Sequence, residues 1–155
     1  MSVMADVETF RRIPVFSACD PVHLQVLAFS ATRVSFETGE PLTEENEPAN
    51  AAYLILSGET RLSSLKDGPV GTAGEGALLG EVAMIGGRHY ALTTTATEPV
   101  SALRIERELF MRVAREFPQF AATVFRSLAA RLEQSMEEIK ATRSEFEKAR
   151  SFSNT

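Results

Sequence analysis

The sequence of 155 residues has one cysteine, Cys19, and two histidines, His23 and His89, set far apart. A lone cysteine excludes an internal disulfide and fits a reducing compartment, so a cytoplasmic location is expected. No H-x-H, C-x-x-C or H-E-x-x-H spacing occurs, which argues against a metal centre; His23 reads as a surface or packing residue. No stretch approaches the roughly 18 apolar residues of a membrane span, and no membrane partner is expected. The start, MSVMADVETF, lacks the charge and apolar run of a signal peptide. Basic runs are missing as well: net charge is -5, so no positive field draws in nucleic acid. No phosphate-binding loop of the G-x-x-x-x-G-K or G-x-G-x-x-G type is present, and Gly71–Gly76 reads as a turn. With no nucleophile–base pair legible either, catalysis and a bound cofactor are not expected.

What remains is a chain 44% apolar, enough for one ordinary core with an appended helix. Val3 to Arg12 reads as a short helix ended by Pro14. Asp20-Pro21 is a helix start, and Leu24, Leu27 and Ala28 give the next helix its apolar stripe to about Ala31. From Thr32 to Ile105 the period shortens to two. Ala52-Tyr53-Leu54-Ile55-Leu56 is an apolar run stopped by Ser57-Gly58, Ala91 to Thr97 is rich in threonine, and turn residues punctuate the whole. Short strands at this spacing make a sandwich or barrel. Helical periodicity returns at Glu106 to Arg115 and again after Pro118, where no further glycine or proline interrupts the chain.

Leu78-Leu79-Gly80-Glu81-Val82-Ala83-Met84-Ile85, then His89-Tyr90-Ala91-Leu92-Thr93, resembles the phosphate-binding cassette of cyclic-nucleotide-binding domains. Ile13-Pro14-Val15-Phe16 and Tyr53 to Gly58 extend the likeness, which runs from about Phe10 to Phe146. The resemblance implies a mainly β fold with flanking helices: an eight-stranded antiparallel β-roll, or jelly roll, followed by a long C-terminal dimerisation helix. Asn46 stands where the family usually has glycine, a mild swap because asparagine tolerates positive φ.

The likeness also assigns a ligand site: Gly80, Glu81, Val82, Arg88, His89, Tyr90, Ala91 and Ser135. Glu81 would accept from a ribose hydroxyl, with Gly80 allowing close backbone approach; equally, Glu81 can serve as an acid at a helix start. Ala91 matches the small residue whose amide faces the phosphate, and Ser135 lies near the place of a hydroxyl against the purine. Tyr90 departs from the pattern, because the family has arginine there. A buried phosphate needs charge-assisted donors, and losing a bidentate clamp lowers affinity by roughly two to four orders of magnitude. Arg88 stands two residues away, ~6.6–7 Å along an extended segment, and reads either as a substitute or as a solvated loop residue. His89 is a weaker substitute, mostly neutral at pH 7. A cyclic nucleotide is therefore expected to act weakly, if it is the effector.

Phe125, Leu132, Ile139 and Phe146 recur every seven residues, with Leu128, Ser135, Thr142 and Ala149 at the d positions. In a parallel pair of helices, Glu138 would face the partner's Arg143, and Glu145 its Arg150. Such surface pairs contribute only ~0.2–1 kcal/mol each and so set orientation. This pattern predicts a homodimer through the C-terminal helix. Residues 1–117 thus read as a roll with flanking helices, 118–150 as the dimer helix and 151–155 as a tail. Many relatives carry a DNA-binding domain after this helix; none is encoded here, so direct DNA binding is not expected. Two functions stay open: a dimeric sensor of a nucleotide-like or other small effector, or a ligand-independent scaffold that engages a protein partner.

Overall fold

A computed structural model describes residues 3–130. Helix α1 spans Val3–Arg11 and α2 spans Pro21–Ser30. Asp20 caps α2, its side chain accepting from the Val22 amide at 2.9 Å, and Pro21 occupies the first helical position, where its missing N–H costs nothing. Leu24, Leu27 and Ala28 form the buried stripe of this helix. Both helices end one residue earlier than periodicity suggests.

Eight strands follow: β1 (Thr32–Phe36), β2 (Pro41–Thr43), β3 (Ala51–Ser57), β4 (Thr60–Ser64), β5 (Gly68–Ala73), β6 (Leu78–Leu79), β7 (Thr93–Ala96) and β8 (Val100–Glu106). A one-turn helix, α3 (Glu81–Ile85), separates β6 from β7, and α4 (Arg107–Glu116) follows β8. The strands form two antiparallel sheets, ordered β1-β8-β3-β6 and β2-β7-β4-β5. Residues 118–130 are helical again, after a break at Phe117. The expected eight-stranded roll with flanking helices is thus the observed fold.

Strand β3 explains why its sequence does not alternate. Ala51 through Ile55 are all buried, because the sheet is covered on both faces. Ala51, Tyr53 and Ile55 face the roll interior with Ala102 and Val100. Ala52 and Leu54 face a second core with Leu103, Ile105 and the helices. That second core is built of phenylalanines. Phe10 meets Phe16 edge-on at 5.5 Å between ring centres, and Phe110 meets Phe120 at 5.6 Å. His23 belongs to its margin, its ring tilted at 33° and centred 4.5 Å from that of Phe117, so it is a packing residue.

Two local details matter for the site. Asn46 takes the left-handed conformation at φ 71, so asparagine does stand in for glycine there. Phe120, Val124 and Leu128 pack residues 118–130 against the helical core, while Phe125 is half exposed. Of the predicted dimer seam, Phe125 and Leu128 are described. Leu132, Ser135, Glu138, Ile139, Thr142, Arg143 and Phe146 lie outside the described residues.

Candidate functional site

Glu81 is positioned by the two residues on either side of a sharp reversal. Strand β6 delivers the chain to Gly80, whose φ of 76 lies in the left-handed region that a β-carbon resists. The next residue opens α3, and the Met84 amide donates to the Gly80 carbonyl at 3.0 Å. Met84 and Ile85 sink into the core on one side of this turn. Glu81 and Val82 are left on the other side, at the wall of a cavity of about 190 Å3.

That cavity brings together Gly80, Glu81, Val82, Tyr90 and Ala91, five of the residues singled out by sequence. Arg88 and His89 are not among its lining residues; both are exposed. The reason is the backbone of this segment. The Arg88 amide donates to Ala83 O at 2.9 Å, and the Ala49 amide donates to Arg88 O at 2.9 Å. Asn46 and Tyr90 are joined in the same way, with Asn46 N to Tyr90 O at 2.9 Å, and Tyr90 N donates to Glu47 O. Residues 88–90 are thus fastened to the loop 46–49, and nothing in this arrangement shifts Arg88 toward the cavity. Ser135 lies outside the described residues.

Tyr90 is only 9% exposed. Its hydroxyl donates to the carbonyl oxygen of Ala51, which is not among the cavity's lining residues. Its ring packs against Gly80, so close that a β-carbon there would come within 2.7 Å of Cε1. Burial, with Tyr53 adding, raises its phenol above the ordinary value of 10.0, so it stays neutral at physiological pH. Tyr90 therefore forms wall and buttress, and its one donor is already used.

The remaining walls come from further residues of the cassette, Leu78 and Leu92 among them, and from strands β2, β4 and β7. Leu62 of β4, Leu78 of β6 and Leu92 give apolar surface. Thr43 and Thr94 are buried; their hydroxyls stand 2.9 Å apart, and Thr43 also donates to Leu92 O at 3.0 Å. The threonine-rich run before Thr97 was the available signal for Thr94, but it does not say which threonine turns inward. Arg107 was missed too. Its Nε donates to Met84 O at 2.9 Å, and its guanidinium lies beside Gly87, so it caps the C-terminal end of α3. Arg104, Arg107 and Arg115 also line a groove of about 540 Å3 beside α4, on residues other than those of the cassette cavity.

Among the described residues no group of three or more His, Cys, Asp or Glu could hold a metal ion, and no helix is long and apolar enough to cross a membrane. Cys19 is buried, and burial pushes its thiol up to about 11, which leaves it a poor nucleophile at neutral pH.

Comparison with known proteins agrees with this geometry. The family model described as cyclic nucleotide-binding domain matches residues 33–117, more than half of the chain. The cAMP-dependent protein kinase regulatory subunit of Aspergillus fumigatus is 28% identical over 102 residues, which are 65% of this chain and 25% of that protein. The chain thus spans about a quarter of the length of this curated relative. Among solved structures, the N-terminal domain of a transcriptional regulator from Streptomyces coelicolor superposes with a TM-score of 0.74 at 24% identity, covering 82% of this chain and 94% of that one. A cyclic nucleotide-binding-like protein from Brucella abortus gives a TM-score of 0.64 at 28% identity, covering 72% and 98%. With the roll, the Gly80-Glu81 turn and the family match in agreement, the chain belongs to the cyclic nucleotide-binding domain family.

Proposed function

We propose that the chain is a non-enzymatic regulatory module that senses a small, nucleotide-like effector in the cassette cavity and passes the signal through a dimer. The observation that carries this reading is the Gly80–Ile85 turn, which holds Glu81 against a cavity walled by four different strands and loops. The relative named as a cAMP-dependent regulatory subunit supports the same class of role. A cyclic nucleotide is a weak effector here, because position 90 supplies no cation. Signal output runs through the C-terminal helix, with Phe125 and Leu128 at the start of its seam. The module works in the cytoplasm.

The reading is tested by thermal unfolding against a panel of nucleosides, nucleotides and cyclic nucleotides, alongside sedimentation of the purified protein. A ligand present at 100 times its Kd stabilises by ~2.7 kcal/mol, which a melting curve resolves readily. The expected result is a dimer that one member of the panel stabilises. A monomer at micromolar concentration defeats the dimer, and an inert panel defeats the sensor.

A second reading has its own observation. Tyr90 packs onto Gly80, and the cavity of about 190 Å3 is smaller than the ~300–1,000 Å3 of ordinary ligand sites. A dimeric scaffold that holds a protein partner without any ligand would have such a filled pocket. It predicts no stabilisation by the panel and recovery of one defined partner.

A further inference from the structure

We infer that the groove beside α4 is a second binding site, for a compact anion bearing two or more phosphate groups, held by the guanidiniums of Arg104, Arg107 and Arg115. It shares no lining residue with the cassette cavity, so it stands whether or not that cavity takes an effector.

Three observations lead there. The first is charge. The groove of about 540 Å3 adjoins a smaller one of about 280 Å3, with Arg104 and Arg115 lining both. Together they are lined by four arginines, Arg104, Arg107, Arg112 and Arg115, against two glutamates, Glu106 and Glu108, in a chain whose net charge is -5. The second is how these charges are held. Arg107 is fixed by its Nε on the Met84 carbonyl, and its terminal nitrogens make no hydrogen bond among the described residues. Arg104 carries its guanidinium carbon 6.0 Å from the centre of the Tyr53 ring. Its Nε is buried without a hydrogen-bond partner among the described residues, the Glu106 carboxylate standing 3.9 Å away. Arg104 and Arg107 are half-buried whereas both glutamates are exposed, so water and salt screen the carboxylates more than these two cations. The third is shape. Arg107, Met111 and Arg115 follow one another every four residues along the groove side of α4, ~12 Å from first to last. A short chain of phosphates lying along this side meets guanidiniums at both ends, and their forks of donors match phosphate oxygens.

The same lining disfavours a larger partner. Leu109 and Met111 are its apolar side chains, and no aromatic ring lines either groove. A protein partner anchors by burying large side chains at a desolvated centre, and a nucleobase stacks on an aromatic face; neither is offered here. Helix α4 adds its positive end to the arginines. Arg107 and Glu108, its first residues, line the groove, and Glu106 before them makes no side-chain cap hydrogen bond.

The test titrates orthophosphate, pyrophosphate and tripolyphosphate into the full chain by calorimetry at ~0.15 M salt, where exposed charges are screened beyond ~8 Å. The expected result is saturable binding of one tripolyphosphate per chain, with pyrophosphate weaker and orthophosphate about tenfold weaker still or more. Arg115→Met, at an exposed position where folding is not at stake, should weaken tripolyphosphate about fivefold or more, and so should Arg104→Met. Glu108→Gln removes an opposing charge and should strengthen binding. Arg61→Met, exposed on β4 and outside both grooves, should leave it unchanged. Absence of saturable binding overturns the inference. So does binding that Arg115→Met leaves unchanged, or that Arg61→Met weakens as much, since the anion would then sit elsewhere or be drawn to the surface at large. A polyglutamate peptide bound as tightly as tripolyphosphate overturns it too, because the groove would then suit an acidic protein segment.

Discussion

The two halves of the cassette, residues 78–85 and 88–93, are built to different ends. The first half keeps its form because the fold requires it. Gly80 must reverse the chain, Leu79 lies in a sheet, and Met84 and Ile85 are core residues. The second half is fastened by backbone bonds at Arg88 and Tyr90 and by the Tyr90 hydroxyl to Ala51 O, so only its exposed side chains, Arg88, His89 and Ala91, can change without disturbing the roll. At position 90, where the resemblance implies an arginine clamp, the side chain is an internal buttress. A cassette can therefore keep its shape while losing the charge that defines its usual ligand.

This contrast can be broken first at Gly80. Gly80→Ala forces a β-carbon into a left-handed backbone and against the Tyr90 ring, so it should destabilise by roughly 2–5 kcal/mol. Denaturant titration measures the loss. Adding Tyr90→Ala to Gly80→Ala relieves only the ring contact, so the two changes should be less than additive. Additive losses would mean that the ring and Gly80 are not coupled.

Tyr90→Phe comes next. It removes one hydrogen bond and leaves the Ala51 carbonyl without that donor, a loss of about 1–3 kcal/mol in the unfolding free energy. A free, ligand-facing hydroxyl would give no change. The same variant has a pH signature. The phenol's folded-state value is raised above 10.0, so the folded protein keeps a proton that the unfolded chain releases. The contribution is intact below pH 10 and is lost as the pH climbs further, and Tyr90→Phe should flatten that decline.

Smaller effects separate the turn from its supports. Arg107→Met should cost about 1 kcal/mol through loss of the bond to the Met84 carbonyl, and it should raise hydrogen exchange at the end of α3 more than in β3. Asn46→Gly should be nearly neutral, within about 0.5 kcal/mol of wild type, because glycine takes φ 71 freely; Asn46→Val should cost about 1–2 kcal/mol.

The fold was legible from local chemistry. Asp20-Pro21 announced a capped helix, the run at 52–56 announced a strand, and Asn46 announced a left-handed turn. The double-sided burial of β3 was not legible, since an apolar run reads alike whether one face or two are covered. Helix α3 is a single turn, too short for a 3.6-residue period to register. At the site, the missing arginine could be read from one position. The direction of Tyr90 could not, because it is set by Gly80 and Ala51, which sequence holds 10 and 39 positions away. Thr43, Leu62 and Thr94 meet on three strands of one sheet, β2, β4 and β7, and are likewise far apart in sequence. Charge, a property of a residue, survives in a sequence; a wall is a property of a packing arrangement and does not.

The most direct test of the account is titration calorimetry of cAMP against the wild-type protein. A cassette whose position 90 is a neutral buttress should bind cAMP no more tightly than micromolar, and Kd should sit well above that. Sub-micromolar binding of cAMP by the unmodified chain would contradict the account, because the charge clamp would then be present after all.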